Sequence, residues 1–221
     1  MAPEREAGAP VEVEASEDGV WRITLARPEK RNALTRDMLR AVEAAAAEAE
    51  RAAARVVILT GEGPVFSAGA DLQEMKEGLG HSDVWERVSA RIAGLPCLTI
   101  AALNGTAAGG PLGMVLACDL RIAAEGAEFF YPVLRMGALP QPSDPLRLAA
   151  IVGQGRARRM LLGADRIGAE EALGWGLCDR VVAREDLERT VLDMAAPALA
   201  APQGLVGGIK RLLAGKPADR R

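Results

Sequence analysis

Two apolar runs constrain this chain most: Val56-Val57-Ile58-Leu59, closed off by Gly61 and Gly63, and Leu98-Thr99-Ile100-Ala101-Ala102-Leu103, closed off by Asn104-Gly105. A strand with one wet face alternates apolar and polar residues. An unbroken apolar run of strand length fits a strand covered on both faces instead. Such strands sit between layers of helix, so the expected class is α/β, with strands early and helices late. Apolar residues make up 49% of the chain but aromatic ones only 3%, so the covering core must be aliphatic and alanine-rich. At 221 residues one domain accommodates it.

Residues 20–25 alternate as a further strand would, and residues 26–32 then break regularity. Thr35 is placed to cap a long helix carrying Met38, Leu39, Val42 and many alanines. Residues 112–117 read as a helix and 119–123 as a strand. Beyond Pro145 the pattern is helical over 146–152, 156–162, 169–173, 185–199 and 203–213. No repeat and no interdomain linker is visible. The expected organisation is a loose N-terminal segment over 1–18, a core domain over 19–199 and a shortened helical segment over 200–221.

A net charge of -3 gives no electrostatic reason to expect nucleic acid or an anionic membrane surface as partner. Cys97, Cys118 and Cys178 form no CxxC pair and are odd in number, which points to reduced thiols rather than a disulfide framework. With one histidine, His81, no metal site is expected. The N-terminus is acidic and small, unlike a signal peptide, and no apolar run reaches the ~20 residues of a membrane span. A cytoplasmic location is expected.

Two loops carry the chemistry. Val65-Phe66-Ser67-Ala68-Gly69-Ala70-Asp71-Leu72-Gln73-Glu74 runs from a buried strand toward a helix, and Asn104-Gly105-Thr106-Ala107-Ala108-Gly109-Gly110-Pro111 does the same. Small residues let backbone approach a ligand closely, and a helix N-terminus offers unpaired N–H groups. Asp71 is a good helix start and Pro111 suits a first helical turn. Singly, each is an ordinary strand-to-helix turn.

Together, their order and spacing resemble the enoyl-CoA hydratase (crotonase) superfamily. Asn32-Ala33-Leu34, Ala117-Cys118-Asp119-Leu120-Arg121-Ile122-Ala123, Leu148-Ala149-Ala150-Ile151-Val152-Gly153, the stretch 169–182 and Pro202 with Lys210 match as well, covering roughly 20–213. The resemblance implies a crotonase-like (ClpP/crotonase) spiral of βαβ-type units with a helical, shortened C-terminal part. It implies an oxyanion hole made by the N–H groups of Ala70 and Gly110. Pro111 cannot donate, but the donor falls one residue earlier. The substrate would be a coenzyme A thioester, or an acyl group on a carrier's phosphopantetheine arm, with no permanently bound cofactor. Ala33, Leu34, Ala68, Asp71, Leu72 and Gln73 would bind the coenzyme and its acyl group. A homo-oligomer, a trimer or dimer of trimers, is also implied, weakened by the short C-terminal part.

The departures decide the chemistry. Hydratases of the family carry a glutamate three residues after the second glycine of the hole, where this chain has Gly113. They carry another after a Phe-x-x-Pro segment, where Phe129-Phe130-Tyr131-Pro132 leads to Val133. Each missing acid or base forfeits ~10²–10⁴ in rate, which disfavours ordinary water addition. Asp144 is one substitute acid or base; it could equally be the N-cap of a helix starting at Pro145. Tyr131 is another, although strand alternation turns it away from the glutamate's side and toward core packing or a backbone hydrogen bond. Glu74 reads as a solvated helix residue or ion-pair partner, His81 as a surface histidine, and Arg156, Arg158 and Arg159 as a solvated helix face.

No G-x-S-x-G elbow surrounds Ser67, and Gly61-Glu62-Gly63 lacks the rest of a nucleotide-binding fingerprint. Two functional readings stand. One is an enzyme forming an enolate by decarboxylation, or by isomerisation with a relocated base. The other is a non-catalytic homologue that binds acyl-CoA or supports a partner.

Overall fold

The computed structural model describes residues 8–217. β1 (Val11–Ala15) turns back at Gly19 into β2 (Val20–Leu25), with Val11, Val13 and Ala15 paired to Leu25, Ile23 and Trp21. Residues 11–15 of the segment expected to be loose thus form an edge strand, because their apolar side chains share the core face of β2. Residues 1–7 of that segment lie outside the described residues, as do 218–221 of the C-terminal one.

α1 (Arg36–Arg51) begins where Thr35 Oγ1 accepts a hydrogen bond from Met38 N at 3.1 Å, and it buries Met38, Leu39, Val42, Ala45, Ala46 and Ala49. β3 (Val56–Gly61) follows, then α2 (Leu72–Lys76), α3 (Val84–Gly94) and β4 (Leu98–Leu103). β5 (Ala107–Ala108) and α4 (Pro111–Ala117) lead to β6 (Leu120–Ala124) and β7 (Glu128–Phe130). After a loop come α5 (Asp144–Val152), α6 (Gln154–Leu162), β8 (Arg166–Gly168), α7 (Ala169–Trp175), β9 (Arg180–Val182), α8 (Leu187–Ala200) and α9 (Leu205–Leu213). β8 and β9 correct the helical reading of the late chain; three residues each leave no periodic signal.

The main sheet has the order β1-β2-β3-β4-β6-β9, parallel except for β1, and β5-β7-β8 form a second sheet. The steps from β2 to β3, β3 to β4 and β4 to β6 each pass through helix, as a spiral of βαβ units requires. The unbroken run in β3 is explained by its surroundings. Val57 and Leu59 enter the larger core with Met38 and Leu39. Val56 and Ile58 face the other way, packing with Ile100, Ala102 and Ile122 against Leu187, Val191 and Ala195 of α8.

Candidate active site

Two buried asparagines place the first loop. Asn32 Nδ2 donates to the carbonyls of Glu62 and Val65, both at 2.8 Å, and its Oδ1 accepts from Arg27 N at 2.9 Å. Asn104 Nδ2 donates to Gly63 O at 2.7 Å and Val65 O at 3.2 Å, and its Oδ1 accepts from Gly61 N at 3.2 Å. The second loop lies directly on the first. A Cβ at Gly105 would stand 2.0 Å from Pro64 O, so no other residue fits.

Beyond that contact the loops pair in parallel at Ser67 and Ala107, with Ser67 N to Thr106 O at 3.1 Å and Ala108 N to Ser67 O at 3.0 Å. Ala70 and Gly110 each stand three residues past this bridge, so the register carries both to one cavity. Gly69, at φ +117°, adopts a backbone conformation closed to other residues and turns the first loop there. Leu34 holds it from the other side: its N–H donates to Gly69 O and its carbonyl accepts from Asp71 N, both at 2.8 Å. The N–H of Ala70 lies between these two bonds. Among the described residues, neither it nor the N–H of Gly110 donates to a protein acceptor. Trp85 backs the second donor. Its ring is so close that a Cβ at Gly110 would stand 2.8 Å from Cζ3, and its indole N–H is fixed to Leu79 O at 3.0 Å.

The cavity measures about 190 Å³, and its walls include Leu72, Met75, Phe130, Val133 and Met136 as well as the two glycine-rich segments. Among the described residues, no carboxylate, amine, guanidinium or imidazole lines it; the polar side chains on its walls are Tyr131, Gln141 and the already engaged Trp85.

Asp144 corrects the helix-cap expectation for this region. It is the first residue of α5, not its cap; Ser143 holds the cap position and makes no side-chain cap bond. Glu86 of α3 instead accepts from Ser143 N at 3.1 Å and from its hydroxyl. The Asp144 side chain turns inward and is buried, with Oδ2 accepting from the Tyr131 hydroxyl at 2.7 Å. Tyr131 packs in the larger core, as expected, and also lines the cavity, since β7 ends at Phe130 and strand alternation no longer governs it. Asp144 Oδ1 has no hydrogen-bond donor among the described residues; Arg147 Nη1 stands 3.9 Å away.

Burial pushes the Asp144 carboxyl up to about 6, against the opposing pull of Tyr131 and Arg147. Burial and the neighbouring Asp144 raise the Tyr131 hydroxyl well above the ordinary phenol range. The carboxyl also fills the space at the first missing glutamate: a Cβ at Gly113 would meet Asp144 Oδ1 at 2.8 Å and Oδ2 at 2.9 Å. Nothing in the spacing of Gly113, Tyr131 and Asp144 reveals that they meet.

Of the residues expected to bind coenzyme or acyl group, Ala68 and Leu72 lie on the cavity wall, and Ala33, Leu34, Asp71 and Gln73 do not. Leu34 is wholly buried, and its main chain is engaged by the first loop. Asp71 caps α2 through Gln73 N at 2.9 Å and pairs with Arg27 at 2.9 Å, a hydrogen bond that holds its carboxyl below the usual range. Ala33 gives its carbonyl to the same arginine at 3.2 Å, and Gln73 bonds Glu77 at 2.8 Å. Glu74, a half-buried residue of α2, accepts from Arg36 N at the start of α1, at 2.7 Å. His81 is exposed and off the cavity. Arg156 and Arg159 sit over Trp175 at 5.5 and 4.9 Å, and Arg159 pairs with Asp165 and Glu171.

This arrangement of parallel spiral and paired glycine-rich loops has relatives of known class. The chain matches the Enoyl-CoA hydratase/isomerase family over residues 15–215 and belongs to it. It is similar to a probable enoyl-CoA hydratase of Mycobacterium leprae, at 37% identity over 175 residues covering 77% of this chain and 71% of that one. A 4-chlorobenzoyl coenzyme A dehalogenase of Arthrobacter sp is 36% identical over 204 residues, covering 87% and 74%. Among solved structures, an enoyl-CoA hydratase from Bacillus anthracis shares the fold with a TM-score of 0.87 and 32% identity, covering 93% of this chain and 82% of that one.

Proposed function

We propose that this chain is an acyl-thioester enzyme that stabilises an enolate between the N–H groups of Ala70 and Gly110, and that it forms the enolate by decarboxylating a carboxyacyl thioester. One observation carries this: Ala70 and Gly110, whose N–H groups have no protein acceptor among the described residues, line a cavity on whose walls no carboxylate or imidazole stands among those residues. Abstraction of an α-proton needs such a base. Loss of CO₂ does not, since the electrons of the breaking C–C bond become the enolate. Each donor aimed at the developing oxyanion contributes ~2.7–4 kcal/mol. Val133 sets the departing carboxylate against an apolar wall, which favours its loss when binding elsewhere offsets the cost.

The thioester arm, of coenzyme A or of a carrier, enters past Ala68 and Leu72, with Ala33, Asp71 and Gln73 leading away from the cavity. Isomerisation with a relocated base is the second reading, favoured by the buried Asp144 behind Tyr131. Leu205, Ile209, Leu212 and Leu213, left exposed on α9, support self-association into a homo-oligomer, to be read by sedimentation.

Purified protein is given malonyl-type and glutaconyl-type thioesters, and CO₂ is measured; none above background ends the decarboxylase reading. Tight acyl-CoA binding with no turnover across a thioester panel would favour a non-catalytic binder. Gly110→Pro removes the donor, and Gly110→Ala brings the same contact with Trp85 while keeping it. The proline variant is expected to be ~10²–10³-fold slower than the alanine variant.

A further inference from the structure

We infer that Asp144 is the proton reservoir of this site and that Tyr131 is the catalytic residue delivering the proton to the enolate α-carbon, an inference that rests on the enolate reading. The carboxylate missing from Gly113 on α4 has in effect been moved across to α5, where it occupies the space a side chain at 113 would fill. It does not itself line the cavity. Tyr131 does, and one 2.7 Å hydrogen bond joins the two.

That bond has two polarities. With Asp144 ionised, Tyr131 must donate to it, and the phenolic proton points away from the cavity. With Asp144 protonated, the carboxyl can donate to the phenolic oxygen, and the Tyr131 proton is free to turn toward bound substrate. Tyr131 does not ionise on its own in these surroundings, so it passes a proton only while receiving another.

In the step itself, the enolate α-carbon forms a C–H bond with the Tyr131 hydroxyl proton. The phenolic oxygen takes the proton of Asp144, and Asp144 is left as a carboxylate. Once product leaves, water returns a proton along the same path. The groups around Asp144 tune this. Arg147 on α5 favours the ionised form and Glu86 on α3 the neutral one, Tyr131 bonds it, and α4, which brings Gly113 against it, has no titratable side chain. Burial outweighs Arg147, so the neutral acid persists up to about pH 6.

The test is decarboxylation of a methylmalonyl thioester in D₂O, reading CO₂ and the stereochemistry of α-deuteration, together with exchange of α-hydrogens in a saturated acyl thioester. Wild-type protein is expected to deuterate one face, with the preference lost as pH rises past about 6. Tyr131→Phe and the near-isosteric Asp144→Asn, checked for unchanged melting behaviour at neutral pH or above, are expected to give racemic label at every pH in whatever product they form. CO₂ with racemic label and no pH dependence in the wild type overturns the relay and leaves the decarboxylase standing. Exchange that is face-selective and pH-dependent, without CO₂, supports the relay and overturns decarboxylation. Neither activity overturns both.

Discussion

A single missing Cβ determines what the carboxyl of Asp144 can do. At Gly113 any side chain would stand within 3 Å of both carboxyl oxygens, so Gly113→Ala is expected to cost about 1–3 kcal/mol by overpacking. Joined with Asp144→Ala it should cost less than the two single changes added, a coupling that a denaturant double-mutant cycle measures. Stability should also carry the signature of a buried acid. The folded carboxyl is raised to about 6 from an ordinary 3.8, so its contribution is present below the lower value, declines as pH rises between the two, and is gone above the higher. That window spans on the order of 3 kcal/mol. Asp144→Asn is expected to remove this slope from the pH dependence of unfolding. At this scale the sequence marked Gly113, Val133, Tyr131 and Asp144 individually, since residue type at a motif position can be read. Their meeting could not be read, because the loop after β7 sets it.

Among elements, the pieces that form the site are held by side chains outside it. Asn32 and Asn104 share Val65 O, and the two variants remove different bonds: Asn32→Ala takes the donor from Glu62 O, whereas Asn104→Ala takes the side-chain acceptor from Gly61 N and leaves Gly63 O with Arg184 alone. Each is expected to destabilise by about 1–3 kcal/mol and to weaken acyl-CoA binding, because the Ala70 peptide hangs from this loop; calorimetry and a binding titration read the two effects. Elements with a strong pattern, such as α1 behind Thr35 or the run in β3, were legible in advance. β5, β8 and β9 were not, since two or three residues contain no period, and tertiary pairing alone makes them strands.

For the whole molecule, the sheet separates two cores of unequal importance to the site. The larger carries the loops and helices around the cavity, and the smaller lies between the far face and α8. Leu187→Ala on α8 is therefore expected to lower stability by about 2–5 kcal/mol while leaving turnover per folded molecule unchanged, as parallel melting and rate measurements would show. The α/β class was legible because both faces of β3 and β4 are covered; that α8 supplies the second cover was not.

Both proposed donors are main-chain atoms, one in an alanine and one in a glycine backed by an indole ring. A conventional alanine scan would leave residue 70 untouched and would report at residue 110 only the displacement of Trp85. The practical handle on that peptide is the tryptophan itself: trimming its ring would let the 110 amide drift, altering catalysis from a residue that contributes no chemistry of its own.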